Sequence, residues 1–397
     1  MITIRRIEDL ALTSSSRVFY RVDYNVPLDG SRITDATRIE ETLQTLQYLR
    51  GRGAAVIIAS HLGRPKGTRN AKYSLQPVRE KLSELLATDV QWADDCIGEE
   101  AEQKAGALGA GGVLLLENLR FHDGEEKNNP SFAQQLRRLA DFYVNDAFGA
   151  SHRAHGSIDA LPRLFPKENT AGGFLLAREL EFLQKVTNID ERPFVALMGG
   201  AKIAGKIEPL EALMKIADKV LVGGGMANTF LAARGVPMGG SLVDRESLDV
   251  ARRIMETDAR AELILPVDLV VADSLENPTE IDWDADVTDG YTEEEKAFDI
   301  GPKTIAMYEA ELRDAKLVFW NGPMGVFEKE EFAKGTTAMA RAVANADATT
   351  VVGGGESVEA VKASGFASKI THISTGGGAS LEFISGAALP CVEVLRA

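Results

Sequence analysis

The sequence predicts an α/β protein built from two doubly wound parallel-sheet (Rossmann-like) domains. Three observations lead there. Short, near-continuous apolar runs rich in β-branched residues recur along the chain, amphipathic stretches at helical spacing separate them, and glycine or charged residues stand directly after the runs. Strands buried on both faces read as continuous apolar runs, and helical spacers between them imply parallel pairing. A chain of 397 residues is also too long for one ordinary core and fits two domains.

Taken in order, the runs of the first half are "RVFYRVD" from Arg17, "AAVIIAS" from Ala54, "VLLLEN" from Val113 and "FYVND" from Phe142. The amphipathic "ATRIEETLQTLQYLRGRG" separates the first two. In the second half come "PFVALM" from Pro193, "KVLVG" from Lys219, "AELILP" from Ala261, "LVFWNG" from Leu317, "TTVVGG" from Thr349 and "KITHIS" from Lys369. The boundary falls around "ENTAGGFLLARELEFLQKVTNIDERP", where a glycine pair precedes a leucine-rich helix and a proline-containing restart. No repeat of fixed period and no low-complexity segment is present.

Composition narrows the function. Hydrophobic residues make up 45% and charged residues 26%, as in soluble globular proteins. No run approaches the length of a membrane span, and the N-terminus has no apolar signal core, so a cytoplasmic protein is expected. Cys96 and Cys391 are the only cysteines, which suits reduced thiols and no disulfide framework. A metal cluster is not expected, because none of the five histidines (His61, His122, His152, His155, His372) has a cysteine near it in sequence. The net charge of -15 lies almost wholly in the second half: residues 1–175 carry 22 basic and 23 acidic residues, residues 176–397 carry 22 and 36. No basic face for nucleic acid is indicated. The stretch Asp273–Asp299, with 11 acids and one lysine, reads as a solvated surface excursion.

In open parallel sheets ligands bind beyond the carboxyl ends of the strands, where strand order switches. Four glycine-rich turns stand there in the second half: Gly199-Gly200-Ala201-Lys202, Gly223-Gly224-Gly225, Gly353-Gly354-Gly355-Glu356-Ser357 and Gly376-Gly377-Gly378. One such turn is weak, since any tight turn can need positive φ. Four, each opening a helix, favour a nucleotide or phosphate site, because free helix N-terminal N–H groups attract anions. Neither familiar motif closes. The dinucleotide fingerprint fails after both triple glycines, and "GAKIAGKI" places Ile207 where a P-loop needs a magnesium-binding hydroxyl. The first half instead carries arginines beside post-strand loops: Arg38, Arg64, Arg120 and Arg153, with Asp23 and Asn25 after the first strand and His61 after the second. Convergent guanidinium groups suit a polyanion, because their planar fork binds phosphate and carboxylate bidentately. The histidines are ambiguous between site and core.

The segments "RVDYNVP", "SHLGRP", "LLENLRF", "VNDAFGASHRAH", "GGAKIAGKI", "VGGGMANTFL", "LPVD", "DIGP", "WNGPMGVFE", "VVGGGES" and "STGGGASLE" resemble, in order and over essentially the whole chain, the signature segments of phosphoglycerate kinases. The resemblance implies reversible phosphoryl transfer from 1,3-bisphosphoglycerate to ADP, giving 3-phosphoglycerate and ATP. It implies a triose-binding domain at 1–170, a hinge helix at 171–187, a nucleotide-binding domain at 188–375, and a C-terminal segment, 376–397, packing back on the first domain, with the ligand cleft between the domains. Carried over by position, the triose site is Asp23, Tyr24, Asn25, Arg38, His61, Leu62, Gly63, Arg64, Arg120 and Arg153. The nucleotide site is Lys202, Lys206, Gly223, Gly224, Gly301, Asn321, Glu328, Gly354, Gly355, Glu356 and Ser357, and the catalytic groups are Arg38, Lys206, Gly376 and Gly377. Glu328 matches the acid that holds the ribose hydroxyls. Mg²⁺ accompanies the nucleotide, facing Glu356, and no organic prosthetic group is expected. Where the family commonly has Asp-Thr, this chain has Glu356-Ser357, and the longer side chain puts direct metal ligation in doubt. A monomer acting on small molecules, without nucleic acid or membrane, is expected.

The chemistry of such a transfer is consistent with the residues. Its acceptor in the ATP-consuming direction is a carboxylate, ionised at neutral pH, so no general base is needed. Positioning and charge compensation must do the work. Two other classes remain: an anion-capturing solute-binding protein, which would normally carry an export signal, and a P-loop ATPase.

Overall fold

The computed structural model describes residues 2–397. The chain divides into two compact units, residues up to Glu181 together with Ala388–Ala397, and Phe182–Ala387. The division falls inside a helix, α1 (Phe174–Thr187).

The first unit is organised by a six-stranded sheet of β1 (Arg17–Arg21), β2 (Ala55–Ala59), β3 (Gln91–Ala93), β4 (Val113–Leu116), β5 (Phe142–Asn145) and β6 (Thr170–Gly172). The spatial order is β3-β4-β2-β1-β5-β6, with every pair parallel. Strand order reverses between β1 and β5, so the switch point lies beyond their carboxyl ends. Val18 to Arg21 are wholly buried because β1 is central and covered on both faces, which is why its sequence does not alternate. One core cluster packs Tyr20, Tyr24, Leu46, Leu49 and Leu82 beneath this sheet. The start of α1 is set by buried Asp146, which follows β5. Its carboxylate accepts the Leu176 N–H at 2.9 Å and the Tyr20 hydroxyl at 2.7 Å. Burial raises this carboxyl to about 6, against the hydrogen bonds that favour its charged form.

In the second unit β7 (Phe194–Met198), β8 (Lys219–Val222), β9 (Glu262–Ile264), β13 (Leu317–Asn321), β14 (Thr349–Gly353) and β15 (His372–Ile373) form a parallel sheet in the order β9-β8-β7-β13-β14-β15. Its switch point falls between β7 and β13. Beside it stands an antiparallel sheet, β11-β10-β12, of β10 (Asp268–Ala272), β11 (Ile281–Asp286) and β12 (Lys296–Ile300). Trp320, fully buried in β13, donates its indole N–H to the Gly322 carbonyl at 2.7 Å and so ties the core to the turn at the strand's end. The helices that carry the site here are α2 (Ile207–Ile216), α3 (Gly224–Ala233), α4 (Pro302–Arg313), α5 (Gly355–Ala363) and α6 (Gly378–Ile384).

The doubly wound fold expected from the sequence is present, and all ten apolar runs contain strands. Two edge strands and the antiparallel sheet were not expected. The acidic stretch is also less simple than a solvated excursion. Asp282, Asp284, Glu293 and Glu294 are exposed, but the stretch supplies β11 and most of β12, and Asp299 is buried. Asp299 accepts the N–H groups of Gly335 (2.6 Å) and Ile300 (2.9 Å). Burial raises its carboxyl to about 7 despite those donors.

Candidate active site

Beyond the switch point of the first sheet the loops after β1, β2, β4 and β5 bring together Asp23, Asn25, Arg38, His61, Gly63, Arg120 and Arg153. Arg38 donates to Asp23 Oδ2 at 2.6 Å, and His61 Nε2 lies 3.8 Å from the other Asp23 oxygen. Asn25 accepts the Gly63 N–H at 2.8 Å, and Arg120 donates to the Gly63 carbonyl at 2.8 Å. Gly63 has φ +61°, and a Cβ there would stand 2.3 Å from the Tyr73 ring, so this close turn needs glycine. Burial works against the Asp23 carboxylate, yet His61 when charged, then the Arg38 and Arg21 guanidinium groups and the Asn25 N–H, hold it down at about 2. Burial drives His61 well below the usual imidazole range, against the Asp23 charge and with the help of Arg21, Arg120 and Arg38. His155 is lowered to about 3 by burial and by Arg120, Arg21 and Arg153. Both rings are therefore neutral at physiological pH, and the positive charge of this edge resides on arginine.

Arg120 is only 4% exposed, and its Nε has no hydrogen-bond partner; the nearest anion is Glu126 at 3.6 Å. Arg153 donates to His152 at 3.0 Å, while Arg64 is exposed. Tyr24 and Leu62 do not bring side chains into the site. Both are buried in the core, the Tyr24 hydroxyl bonding Thr42 at 2.8 Å, so only their backbone faces the loops. Arg21 was not singled out from the sequence. It is fully buried, donates to Ser157 at 2.7 Å, lies 3.6 Å from Glu125, and places a nitrogen 3.3 Å from His61 Nδ1. The available signal was a guanidinium at the end of an apolar strand, a position costly without a built partner set.

In the second unit the turns after β7, β8 and β13 border a cavity of about 590 Å³. Gly200, Gly224, Glu328 and Glu356 line it, as do apolar Leu242, Phe298 and Met324. Gly224 opens α3 with φ +64°, and a Cβ there would stand 2.9 Å from the Gly200 carbonyl. Lys206 donates to the Gly199 carbonyl at 2.8 Å; burial lowers its ammonium while the Glu356 charge raises it. Lys206 and Glu356 converge on Gly200, where a Cβ would stand 3.2 Å from Nζ and 4.0 Å from Oε2. Glu356 itself is exposed in the first turn of α5.

Other expected nucleotide residues stand back from the cavity. Asn321 donates to the Gly353 carbonyl at 2.9 Å and packs under Gly354, whose φ is +92°. Ser357 is wholly buried and accepts the Gly322 N–H at 2.5 Å, so its hydroxyl braces the β13 turn. Gly301 sits against the Asp268 carboxylate, which caps α4 through the N–H groups of Lys303 (2.9 Å) and Thr304 (2.7 Å). Lys202 is exposed. Gly377, with φ +51° and open space around it, precedes α6, and Gly376 donates its N–H to Ser374 at 3.1 Å. The cavity's apolar wall was not anticipated, because its residues come from separate segments.

One doubly wound unit gathers arginines at its switch point, and the other borders a cavity with glycine turns, Lys206 standing close by at Gly200. A family model described as phosphoglycerate kinase matches residues 7–387. The phosphoglycerate kinase of Moorella thermoacetica is 51% identical over 393 residues, covering 98% of each chain, and that of Pelobacter propionicus is 49% identical over 397, covering 99% of this chain and 98% of the relative. Among solved structures, phosphoglycerate kinase from Coxiella burnetii matches with a TM-score of 0.88 at 37% identity over 99% of both chains. The enzyme from Pyrococcus horikoshii matches with 0.87 at 34%, over 99% of this chain and 98% of that one. The chain belongs to the phosphoglycerate kinase family. It transfers a phosphoryl group between ATP and 3-phosphoglycerate in glycolysis, a nucleotide-dependent reaction of a family that works with a metal ion. No helix of the described residues is long and apolar enough to cross a membrane.

Proposed function

We propose that the first unit, with the boundaries near 1–170, holds the triose phosphate through Arg38, Arg64, Arg120 and Arg153, with Asp23, Asn25 and His61 orienting them. The observation that carries this reading is Arg120, a guanidinium buried to 4% exposure with an unused donor. Such a group suits an anion, because its buried Nε is left without a hydrogen-bond partner and the Glu126 carboxylate stands 3.6 Å away. The second unit, 188–375, takes ADP or ATP along the glycine turns, with Glu328 on the cavity wall available to the ribose hydroxyls.

The residues present suit Mg²⁺ bound with the nucleotide. Glu356 offers one exposed carboxylate at the cavity rim, and this ion is commonly held by one or two carboxylates plus substrate phosphates and waters. Bound there, it would neutralise phosphate charge. Lys206 would hold the terminal phosphate of the nucleotide by its ammonium, Arg38 would offset charge at the reacting carboxylate of the triose, and the N–H groups at Gly376 and Gly377 would add neutral donors. The acceptor carboxylate needs no proton removed, so the low basicity of the buried His61 and His155 rings is no obstacle. The enzyme acts as a monomer in the cytoplasm, on small molecules alone. The decisive experiment is ATP consumption with and without 3-phosphoglycerate. Turnover only with the acceptor supports the assignment of roles. ATP hydrolysis without it would favour an ATPase, and stable anion capture without turnover a binding protein.

A further inference from the structure

Asp95, Cys96 and His122 take no part in the site above, yet a carboxylate oxygen, the thiol sulfur and a ring nitrogen lie within 4.8 Å of one another. Asp95 and Cys96 follow β3, and His122 follows the neighbouring β4. Sequence separation had argued against any such cluster. The pairing of β3 with β4 overrules it by bringing two post-strand loops side by side.

We propose that these three side chains form a binding site for a thiophilic divalent ion of the zinc class, with a fourth position left for water. The donor set decides the class: a thiolate beside an imidazole suits zinc, whereas magnesium, calcium and manganese prefer oxygen alone. Carboxylate and thiolate together match the charge of a dication. Bonds of about 2.0–2.3 Å at tetrahedral angles place ligand atoms roughly 3.3–3.8 Å apart. His122 Nε2 and Asp95 Oδ1, now 2.6 Å apart, must separate by about 1 Å, and the sulfur, within 4.8 Å of both, must close by at most about 1 Å. Those are side-chain adjustments. The His122 ring is oriented by stacking on Phe132, with centroids 5.6 Å apart, and the Cys96 N–H donates to Asp95 at 2.6 Å. Cys96 is buried, but the side chains of Asp95 (42% exposed) and His122 (29%) give an ion a way in. The alternative is a hydrogen-bonded Asp–His pair beside an inert buried thiol. His122 stands two residues after Arg120, so an occupied site would tie the loop after β3 to the loop that carries a substrate arginine.

The test is a titration of Co²⁺ into the reduced, chelator-treated full-length protein, without nucleotide or Mg²⁺. One equivalent should produce a thiolate-to-cobalt charge-transfer band in the near ultraviolet, displaced by Zn²⁺. Cys96→Ser should abolish the band, and Cys391→Ser should retain it. His122→Gln and Asp95→Asn, which leave the buried thiol in place, should each weaken binding by about tenfold or more. Absence of the band in the parent protein would overturn the proposal. So would a band that survives Cys96→Ser or disappears with Cys391→Ser, or parent-like affinity in both His122→Gln and Asp95→Asn.

Discussion

Replacing Arg38 by alanine separates a catalytic charge from a structural one. In the free protein Arg38 donates to Asp23 at 2.6 Å, with its side chain 34% exposed. A pair screened to that degree contributes at most about 1 kcal/mol to stability. In a unit the size of the first one that shifts the melting temperature by only about 2–4 °C. In the role proposed above, offsetting charge at the reacting carboxylate during phosphoryl transfer, the same guanidinium has a larger effect on rate. Losing one preorganised donor of this kind costs about 3–4 kcal/mol, near 10³-fold in kcat. The expected result for Arg38→Ala is therefore a kcat reduced about 10³-fold, ADP affinity by calorimetry barely changed, and a small loss of thermal stability. Arg38→Lys should recover part of the rate, since charge returns without the planar fork. A kcat within tenfold of the parent enzyme would refute the reasoning. A fall of more than about 8 °C in melting temperature would show that the residue is chiefly structural.

Glu356→Gln should raise the Kd for Mg-ADP at least several-fold while ADP with a chelator binds as before; equal weakening in both titrations would assign Glu356 to the first turn of α5 and its dipole alone. The isolated unit 182–387 should bind ADP but not 3-phosphoglycerate, and calorimetric heat from the triose would contradict the division of labour. Gly354→Ala should destabilise the second unit and weaken ADP binding, because φ is +92° and the new Cβ would stand 2.8 Å from Asn321 Nδ2; unchanged urea unfolding would count against that account. Asp23 titrates at about 2, below the unfolded value near 3.9, so it adds stability that is present above pH 4 and lost as pH falls towards 2. The stability gap between the parent and Asp23→Asn should accordingly narrow across that window, and a constant gap would exclude the carboxylate as its source.

Much of the fold was legible because a parallel sheet writes itself locally. Phe194–Met198 and Thr349–Gly353 are buried on both faces, so every residue of the run is apolar or small, and the residue after each strand points where ligands bind. Asp23 and Glu356 stand close after their strands and could be marked in this way, whereas the roles of Arg38 and Lys206 rested on the family resemblance. Gln91–Ala93 and Thr170–Gly172 could not, since three residues at a sheet edge are strands only because the parallel neighbours Leu114–Leu116 and Tyr143–Asn145 supply their hydrogen bonds. Whether a marked residue faces ligand or core is likewise a matter of packing. Ser357 looked like a phosphate contact, but its hydroxyl is committed to Gly322, 35 residues away in sequence. Tyr24 stands between two site residues, and its ring belongs to the core. The sequence by itself determined the strands written as apolar runs, the turns after them and the charges those turns carry, since each depends on neighbours a few residues away. Only tertiary structure decided the burial of Arg21 and Arg120, the apolar wall made by Leu242 and Phe298, and the meeting of Cys96 with His122. Those depend on which strands pair, and pairing energies are summed over residues far apart in the chain.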